Sequence, residues 1–231
     1  MKAKILLITP NFKSLKGGIK RIQPPAGIGF LAEVLLRENY EVIIRDTALE
    51  GYENEKDLTD ELVLVGETDE QIADFIKTTA PNVVGISAMF TNLVDSAKNT
   101  AKIVKNLFPQ VPIVVGGNHV TNAARDYQFA QTNDLPALSN LFEDLIFDKN
   151  IDYAMLGEAE YEFPKLVDCL LNNGDISLIK NLVYKNENEV IFNSPPLSRD
   201  DKRMDIENLP APAWHLFNMK KYSDIGVFQS S

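Results

Sequence analysis

Short apolar runs alternate along the chain with longer segments in which apolar residues recur every three or four positions. A short run that is apolar throughout is typical of a strand buried on both faces of a sheet. The sequence has five short segments that contain such a run and therefore predicts five strands, at residues 4–9, 41–46, 83–87, 112–115 and 153–156.

The segments between these strands predict helices. In residues 27–39 the apolar positions fall on one helical face. Thr68 begins the second helical segment, and Gln71, three residues later, completes the pattern of a capping box. The predicted helices are 27–39, 68–79, 92–108, 121–130, 136–147 and 161–173.

This alternation predicts a doubly wound α/β fold, a five-stranded parallel sheet of Rossmann-like or flavodoxin-like order with helices on both faces. In such folds ligands bind at the carboxyl ends of the strands. The pattern changes near the end of the chain, where 181–185 and 190–192 predict a β-hairpin before a proline-rich stretch. We therefore predict one domain over residues 1–178, followed by a hairpin and connector over 179–231.

The composition of the chain argues against nucleic acids and membranes as partners. The 231 residues carry 23 Lys and Arg against 33 Asp and Glu, a formal net charge of −10. Nucleic acids and anionic membranes favour a basic surface, and no apolar run approaches the roughly 18 residues of a membrane span. We expect a cytoplasmic protein with neither kind of partner. The single cysteine, Cys169, cannot form a disulfide or a cysteine-based metal site within the chain.

Small and polar residues follow each predicted strand, at the edge where a ligand is expected. Glycine lets a ligand approach the backbone closely, and polar side chains offer hydrogen bonds. In chain order, the candidate site residues at these strand ends are Pro10; Asp46, Ala48 and Gly51; Ser87, Ala88 and Met89; Gly116, Gly117 and His119; and Gly157 and Glu158.

Three of these groups resemble the motifs of cobalamin-binding domains of the methionine-synthase and mutase type. Those domains carry Asp-x-His-x-x-Gly, Ser-x-Leu and Gly-Gly at strand ends. Ala48 takes the place of the histidine that ligates cobalt. That departure is usual in cobalamin-dependent radical S-adenosylmethionine enzymes that resemble the anaerobic magnesium-protoporphyrin cyclase. The matching stretches here are Asp46-x-Ala48-x-x-Gly51, Ser87-x-Met89 and Gly116-Gly117.

Three further stretches are similar to that enzyme family. Residues 24–32 resemble the motif that opens its first helix, and residues 209–214 resemble the passage into its catalytic barrel. Residues 157–160, Gly-Glu-Ala-Glu, match its Gly-Glu-x-Glu. The resemblance covers nearly the whole chain. It rests on the order of all these motifs along the chain and not on any single one.

The resemblance implies that the chain binds cobalamin with the nucleotide tail displaced from cobalt and no histidine below the metal. Gly116 and Gly117 would let the tail pass close to the backbone, and Ser87 could hydrogen-bond the tail nitrogen. Asp46 would sit near the corrin. His119 follows the glycine pair, so we expect it to make a hydrogen bond within its loop rather than to ligate cobalt.

The resemblance also implies an intact enzyme that performs methyl transfer or cyclase-type chemistry. The catalytic barrel of that family begins with Cys-x-x-x-Cys-x-x-Cys, which holds a four-iron, four-sulfur cluster and, at its open iron, S-adenosylmethionine. One cysteine cannot hold such a cluster. We therefore expect no catalytic residue here and a chain truncated before the radical domain that would be its partner.

A dinucleotide-binding domain is one alternative. Gly27-x-Gly29-x-x-Ala32 fits the turn pattern of such domains, and Asp46 lies near the place of a ribose-binding acid. However, residues 11–26 separate this pattern from the first strand, whereas the dinucleotide turn follows its strand directly.

A structural fragment that has kept the fold and lost the ligand is the other alternative. The long acidic segment 51–67 could fold over an empty or a filled site. The glycine pair could equally form a tight turn, and Ser87 could cap a helix.

Overall fold

The computed structural model describes residues 2–133, 141–187, 189–194 and 208–224. Within these ranges the predicted strands and helices form with small shifts at their ends, and residues 136–140 of the predicted helix 136–147 lie outside the described residues. The strands are β1 (Lys4–Thr9), β2 (Phe12–Leu15), β3 (Glu41–Asp46), β4 (Glu55–Asp57), β5 (Leu62–Val65), β6 (Val83–Ser87), β7 (Ile113–Gly116), β8 (Tyr153–Met155), β9 (Leu182–Asn186) and β10 (Glu189–Phe192). The helices are α1 (Ala26–Arg37), α2 (Thr47–Glu50), α3 (Asp69–Thr79), α4 (Val94–Leu107), α5 (Asn118–Asn133), α6 (Leu141–Ile146), α7 (Glu162–Asn172) and α8 (Met219–Asp224).

The main sheet has the order β10-β9-β8-β7-β6-β1-β3, and β3, β1, β6, β7 and β8 run parallel. Numbered among themselves along the chain, these five strands follow the order 2-1-3-4-5, which is the flavodoxin-like order. The predicted fold class is therefore confirmed. The order reverses between β1 and β6, where Leu7 pairs with Gly85.

Helices cover both faces of this sheet, because alternate residues of each strand point to opposite sides. Leu6 and Ile8 belong to a core on the side of α3, α4, α5 and α6, and Ile5 and Leu7 belong to a second core on the side of α1 and α7. The predicted capping box is confirmed at the start of α3, where the side chains and backbone N–H groups of Thr68 and Gln71 bond reciprocally.

The predicted hairpin, β9 and β10, extends the main sheet to seven strands. β9 pairs antiparallel with β8, with Met155 opposite Leu182, and β10 pairs with β9. The hairpin thereby covers the edge of β8, whose backbone groups would otherwise lack partners. The boundary that we placed at residue 178 falls within one continuous sheet.

A second sheet, in the order β2-β5-β4, arises from segments that the sequence pattern did not identify as strands. β4 is exposed along its whole length and β2 is at most half-buried, so neither has the apolar pattern of a buried strand. β4 and β5 of this sheet lie within the acidic segment 51–67. β2 lies in the stretch of chain between β1 and α1, the helix that contains the Gly27-x-Gly29-x-x-Ala32 pattern.

The connector residues 208–224 pack against α1 and α2. Ala213 donates its backbone N–H to the carbonyl of Gly29 at 3.0 Å, and a Cβ on Gly29 would lie 2.8 Å from the Pro212 side chain. Ala213 and Tyr222 are fully buried. Within the described ranges, no helix combines the length and the apolarity needed to cross a membrane.

Candidate functional site

A cavity of about 890 Å³ opens at the carboxyl ends of β6, β7 and β8, on the side of the sheet that carries α1 and α7. Its depth is apolar, because α1 and α7 pack their apolar sides toward the strands there. Its rim is polar and comes from the residues that follow the strands and from α5. The apolar lining includes Leu7, Ile28, Leu31, Val114, Met155 and Phe163, and the polar lining includes Ser87, Asn118, Thr121, Arg125, Glu158 and Glu160.

The two glycines at the end of β7 have different structural roles. A Cβ on Gly116 would meet only the Met155 carbonyl oxygen, at an ordinary 3.5 Å, so this position leaves the cavity wall open. Gly117 has φ +113° and a Cβ there would lie 2.9 Å from the Ala88 carbonyl group. Gly117 is therefore required by the turn, whereas Gly116 leaves space for a ligand.

Two polar groups of the rim stand out because they lack partners among the residues that the structure describes. The Oε2 atom of Glu160 is buried and has no hydrogen-bond partner among the described residues. Arg125, an exposed residue of α5, makes no ion pair or hydrogen bond with any residue that the structure describes. By contrast, the Thr121 hydroxyl accepts the backbone N–H of Gly157 at 2.8 Å, which ties the β8 end to α5.

Six of the candidate residues line the cavity together and six do not. Ala88 and His119 are buried behind the rim, and Pro10, Asp46, Ala48 and Gly51 pack elsewhere within the protein. The cavity lining comprises Ser87, Met89, Gly116, Gly117, Gly157 and Glu158.

Asp46 is engaged by the protein itself. It caps α2, where one carboxylate oxygen accepts the Leu49 backbone N–H at 3.0 Å. The other oxygen accepts the hydroxyl of Tyr222, from the connector, at 2.6 Å. Burial raises the pKa of Asp46, and these hydrogen bonds partly oppose that effect.

The two small residues after Asp46 are held by packing. Ala48 is only 3% exposed and belongs to the core beside α1. A Cβ on Gly51 would lie 2.1 Å from the Glu67 backbone nitrogen, because the chain after β5 crosses directly over this turn. The turn from Asp46 to Gly51 is thus a packed element of the fold, and it does not contribute to the cavity wall.

Neither histidine of the chain lines the cavity. His119 donates its backbone N–H to the Met89 carbonyl, and its Nδ1 lies 3.1 Å from the Thr91 hydroxyl, which agrees with the loop hydrogen bond that we expected. Burial lowers the pKa of His119 and favours the neutral ring. His215 is exposed on the connector. The described residues contain no cluster of His, Cys, Asp or Glu that could hold a metal ion.

Sequence reasoning missed the contribution of three helices to the site. Ile28 and Leu31 of α1 and Phe163 of α7 form the apolar walls, and Arg125 of α5 reaches the rim. In the sequence these residues look like ordinary helix positions. Glu160 lies within the Gly-Glu-x-Glu match, and Ile28 and Leu31 lie within the matched stretch 24–32, but none of the three was singled out as a ligand contact.

Together, the strand order and a cavity at the carboxyl ends of the strands define a ligand-binding α/β domain. The family described as the B12 binding domain matches residues 15–135, which is more than half of the chain. The chain belongs to this family.

Two curated relatives align with almost the entire chain. The cytidylyl-2-hydroxyethylphosphonate methyltransferase of Streptomyces wedmorensis is 28% identical, over 98% of this chain and 43% of its own length. An uncharacterised methyltransferase of Pyrococcus horikoshii is 32% identical, over 97% of this chain and 41% of its own length. This chain therefore spans less than half the length of these relatives.

Solved structures share the fold at lower identity. The radical S-adenosylmethionine methyltransferase TsrM from Kitasatospora setae superimposes with a TM-score of 0.62 at 17% identity, over 96% of this chain and 37% of its own. The cobalamin-dependent S-adenosylmethionine radical enzyme OxsB, with aqua-cobalamin and S-adenosylmethionine bound, gives a TM-score of 0.63 at 15% identity, over 97% of this chain and 25% of its own.

Proposed function

We propose that this chain binds cobalamin as the cofactor domain of a radical S-adenosylmethionine enzyme, with the nucleotide tail in the cavity beside β6, β7 and β8. The observation that carries this proposal is the cavity itself, which lies at the strand ends of a chain that belongs to the B12 binding domain family. The names of the relatives, radical S-adenosylmethionine methyltransferases among them, support the wider role.

The cavity fits a cobalamin tail in size and in chemistry. Its volume of about 890 Å³ lies within the roughly 300–1,000 Å³ of small-molecule sites. A flat, apolar benzimidazole base suits the space between Ile28 of α1 and Phe163 of α7, and the open wall at Gly116 leaves it unobstructed. Ser87 lies at the rim, where its hydroxyl could bond a tail nitrogen.

We further propose that the protein supplies no nitrogen ligand to cobalt. Alanine has no lone pair to donate at position 48, and both histidines lie outside the cavity lining. A tail buried in the cavity would be removed from the metal. When bound, cobalamin supplies a cobalt centre that can carry a methyl group, and the role of this chain is to hold the corrin and its tail.

For the whole protein we propose methyl transfer. The two relatives that align with nearly all of this chain are methyltransferases by name. The anaerobic magnesium-protoporphyrin IX monomethyl ester cyclase of Rubrivivax gelatinosus is 30% identical but matches only 51% of this chain. The proposed partner is a radical S-adenosylmethionine domain that holds the iron–sulfur cluster, and the proposed compartment is the cytoplasm.

Titration of the purified chain with hydroxocobalamin, followed by gel filtration and a visible spectrum, tests the proposal. We expect the corrin to co-elute and its spectrum to lack a nitrogen lower ligand. Gly116→Trp should abolish binding, because the indole would fill the cavity without a backbone clash. As a control, Lys102→Trp places the same ring on the exposed side of α4. Failure of the wild-type chain to retain corrin would overturn the proposal.

A further inference from the structure

We propose that Arg125 and Glu160 clamp the ribose-phosphate part of the nucleotide tail, with Arg125 paired to the phosphodiester and Glu160 accepting a ribose hydroxyl. This inference rests on the proposed cobalamin function and deepens it, because it assigns the polar half of the tail to named side chains. Both residues line the same cavity, from two different elements of the fold.

Glu160 provides the first part of the argument. Its Oε2 atom is buried without a hydrogen-bond partner among the described residues, and a buried carboxylate oxygen without a partner is costly and rare. Burial raises the pKa of Glu160, although the backbone N–H groups of Ala159 and Glu160 oppose this. The side chain therefore has one oxygen engaged by the backbone and one available to a hydrogen-bond donor in the cavity.

Arg125 provides the second part. It projects from α5 to the cavity rim, and no described carboxylate pairs with it. The lack of an ion pair is informative because carboxylates line the same cavity. Glu158 and Glu162 are both in its lining, and Glu162 pairs with Lys165 at 2.6 Å rather than with Arg125. A guanidinium left without a carboxylate at the mouth of a cavity is suited to an oxyanion, which it can hold through two parallel hydrogen bonds.

The chemistry of the tail matches this arrangement. The nucleotide tail of cobalamin has an apolar base, a ribose with a free hydroxyl and a phosphodiester with one negative charge. The cavity has an apolar depth, and its rim carries a cation, Arg125, and an acceptor, the Oε2 atom of Glu160, that have no partner among the described residues. A base held in the apolar depth would leave the ribose and phosphate at the rim, where Glu160 and Arg125 lie.

The test compares cobalamin with cobinamide, which has the corrin ring but lacks the base, the ribose and its phosphodiester. Affinities are measured by absorbance titration of the full chain and of Arg125→Gln and Glu160→Gln. Each substitution should weaken cobalamin binding by about tenfold or more, since each removes a charged hydrogen-bonding group, and should leave cobinamide binding unchanged. Lys102→Gln and Glu70→Gln make the same charge changes on exposed positions of α4 and α3 and should alter neither affinity.

The outcomes separate this inference from the proposed function. Weaker cobalamin binding with unchanged cobinamide binding supports the clamp. Unchanged cobalamin affinity in both variants, or an equal loss of cobalamin and cobinamide affinity, overturns the clamp while cobalamin binding stands. Binding of neither corrinoid by the wild-type chain overturns the proposed function and the clamp with it.

Discussion

At the scale of single residues, Asp46 is a candidate site residue whose carboxylate is hydrogen-bonded within the protein itself. Its carboxylate is 5% exposed, caps α2 and accepts the Tyr222 hydroxyl. Burial raises its pKa above the usual value, which means that the folded state favours the protonated form. The contribution of Asp46 to stability is therefore fully present below the unfolded pKa and is lost as the pH rises through the folded pKa.

Asp46→Asn should remove this pH dependence. The amide can still accept the Leu49 N–H, and it cannot ionise. We expect the variant to gain stability relative to the wild type as the pH rises above about 4, the usual pKa of an aspartate, by about 1.4 kcal/mol for each pH unit by which the folded pKa exceeds the unfolded one. Urea unfolding of both proteins across this range measures the difference, with the exposed Asp74→Asn as control. A stability difference that stays constant with pH would contradict the expectation.

At the scale of elements, α8 joins the connector to the body of the domain. Tyr222 donates to Asp46, and the neighbouring Lys221 bonds the Glu50 carbonyl at 2.8 Å and its carboxylate at 3.0 Å. Two successive residues of α8 thus contact the two ends of α2. The connector also packs on α1 through Ala213, and the opposite side of α1 lines the cavity. Residues 208–224 of the predicted connector therefore pack against α1 and α2.

Tyr222→Phe should destabilise the protein by about 1–3 kcal/mol, because it leaves a buried carboxylate oxygen of Asp46 without its donor. It should also steepen the loss of stability with rising pH, since the Tyr222 hydrogen bond lowers the pKa of Asp46. Chemical unfolding at two pH values measures both effects. Tyr184→Phe removes a phenol hydroxyl that bonds no described residue and is the matched control. Equal stability of the two variants would refute the role of Tyr222.

At the scale of the whole molecule, the cavity depends on elements that are far apart in the chain. α1 contributes one wall and α7 the other, and more than a hundred residues separate them. A ligand that contacts both walls binds the folded state and has no equivalent site in the unfolded chain. Ligand binding and global stability are therefore linked.

Cobalamin at about 100 times its dissociation constant should stabilise the fold by about 2.7 kcal/mol, which is a rise of roughly 5–10 °C in Tm for a chain of this size. Circular dichroism at increasing cobalamin concentration measures the rise. The Gly116→Trp variant should show none, because its cavity is filled. An identical rise in that variant would place the ligand outside this cavity.

The sequence predicted the elements whose pattern comes from burial. Each of the five parallel strands contains a short apolar run, which the sequence pattern identifies, and the capping box at Thr68 and Gln71 is a local pattern. β4 was not predicted because it is exposed along its length, and β2 was not predicted because none of its residues is fully buried. β5 is a four-residue apolar run within the acidic segment 51–67, where no strand was predicted. The glycine pair could be placed at a strand end, but which glycine faces the ligand could not.

The sequence by itself determined the fold class, the position of the cavity edge and the residues that follow β6, β7 and β8, because each of these depends on local pattern and on chain order. The tertiary structure decided which of those residues share a cavity. Asp46 and Glu160 are both carboxylates near strand ends, yet the connector gives Asp46 a donor and leaves Glu160 facing the cavity. That difference arises from contacts across 176 residues of chain, which no local pattern encodes.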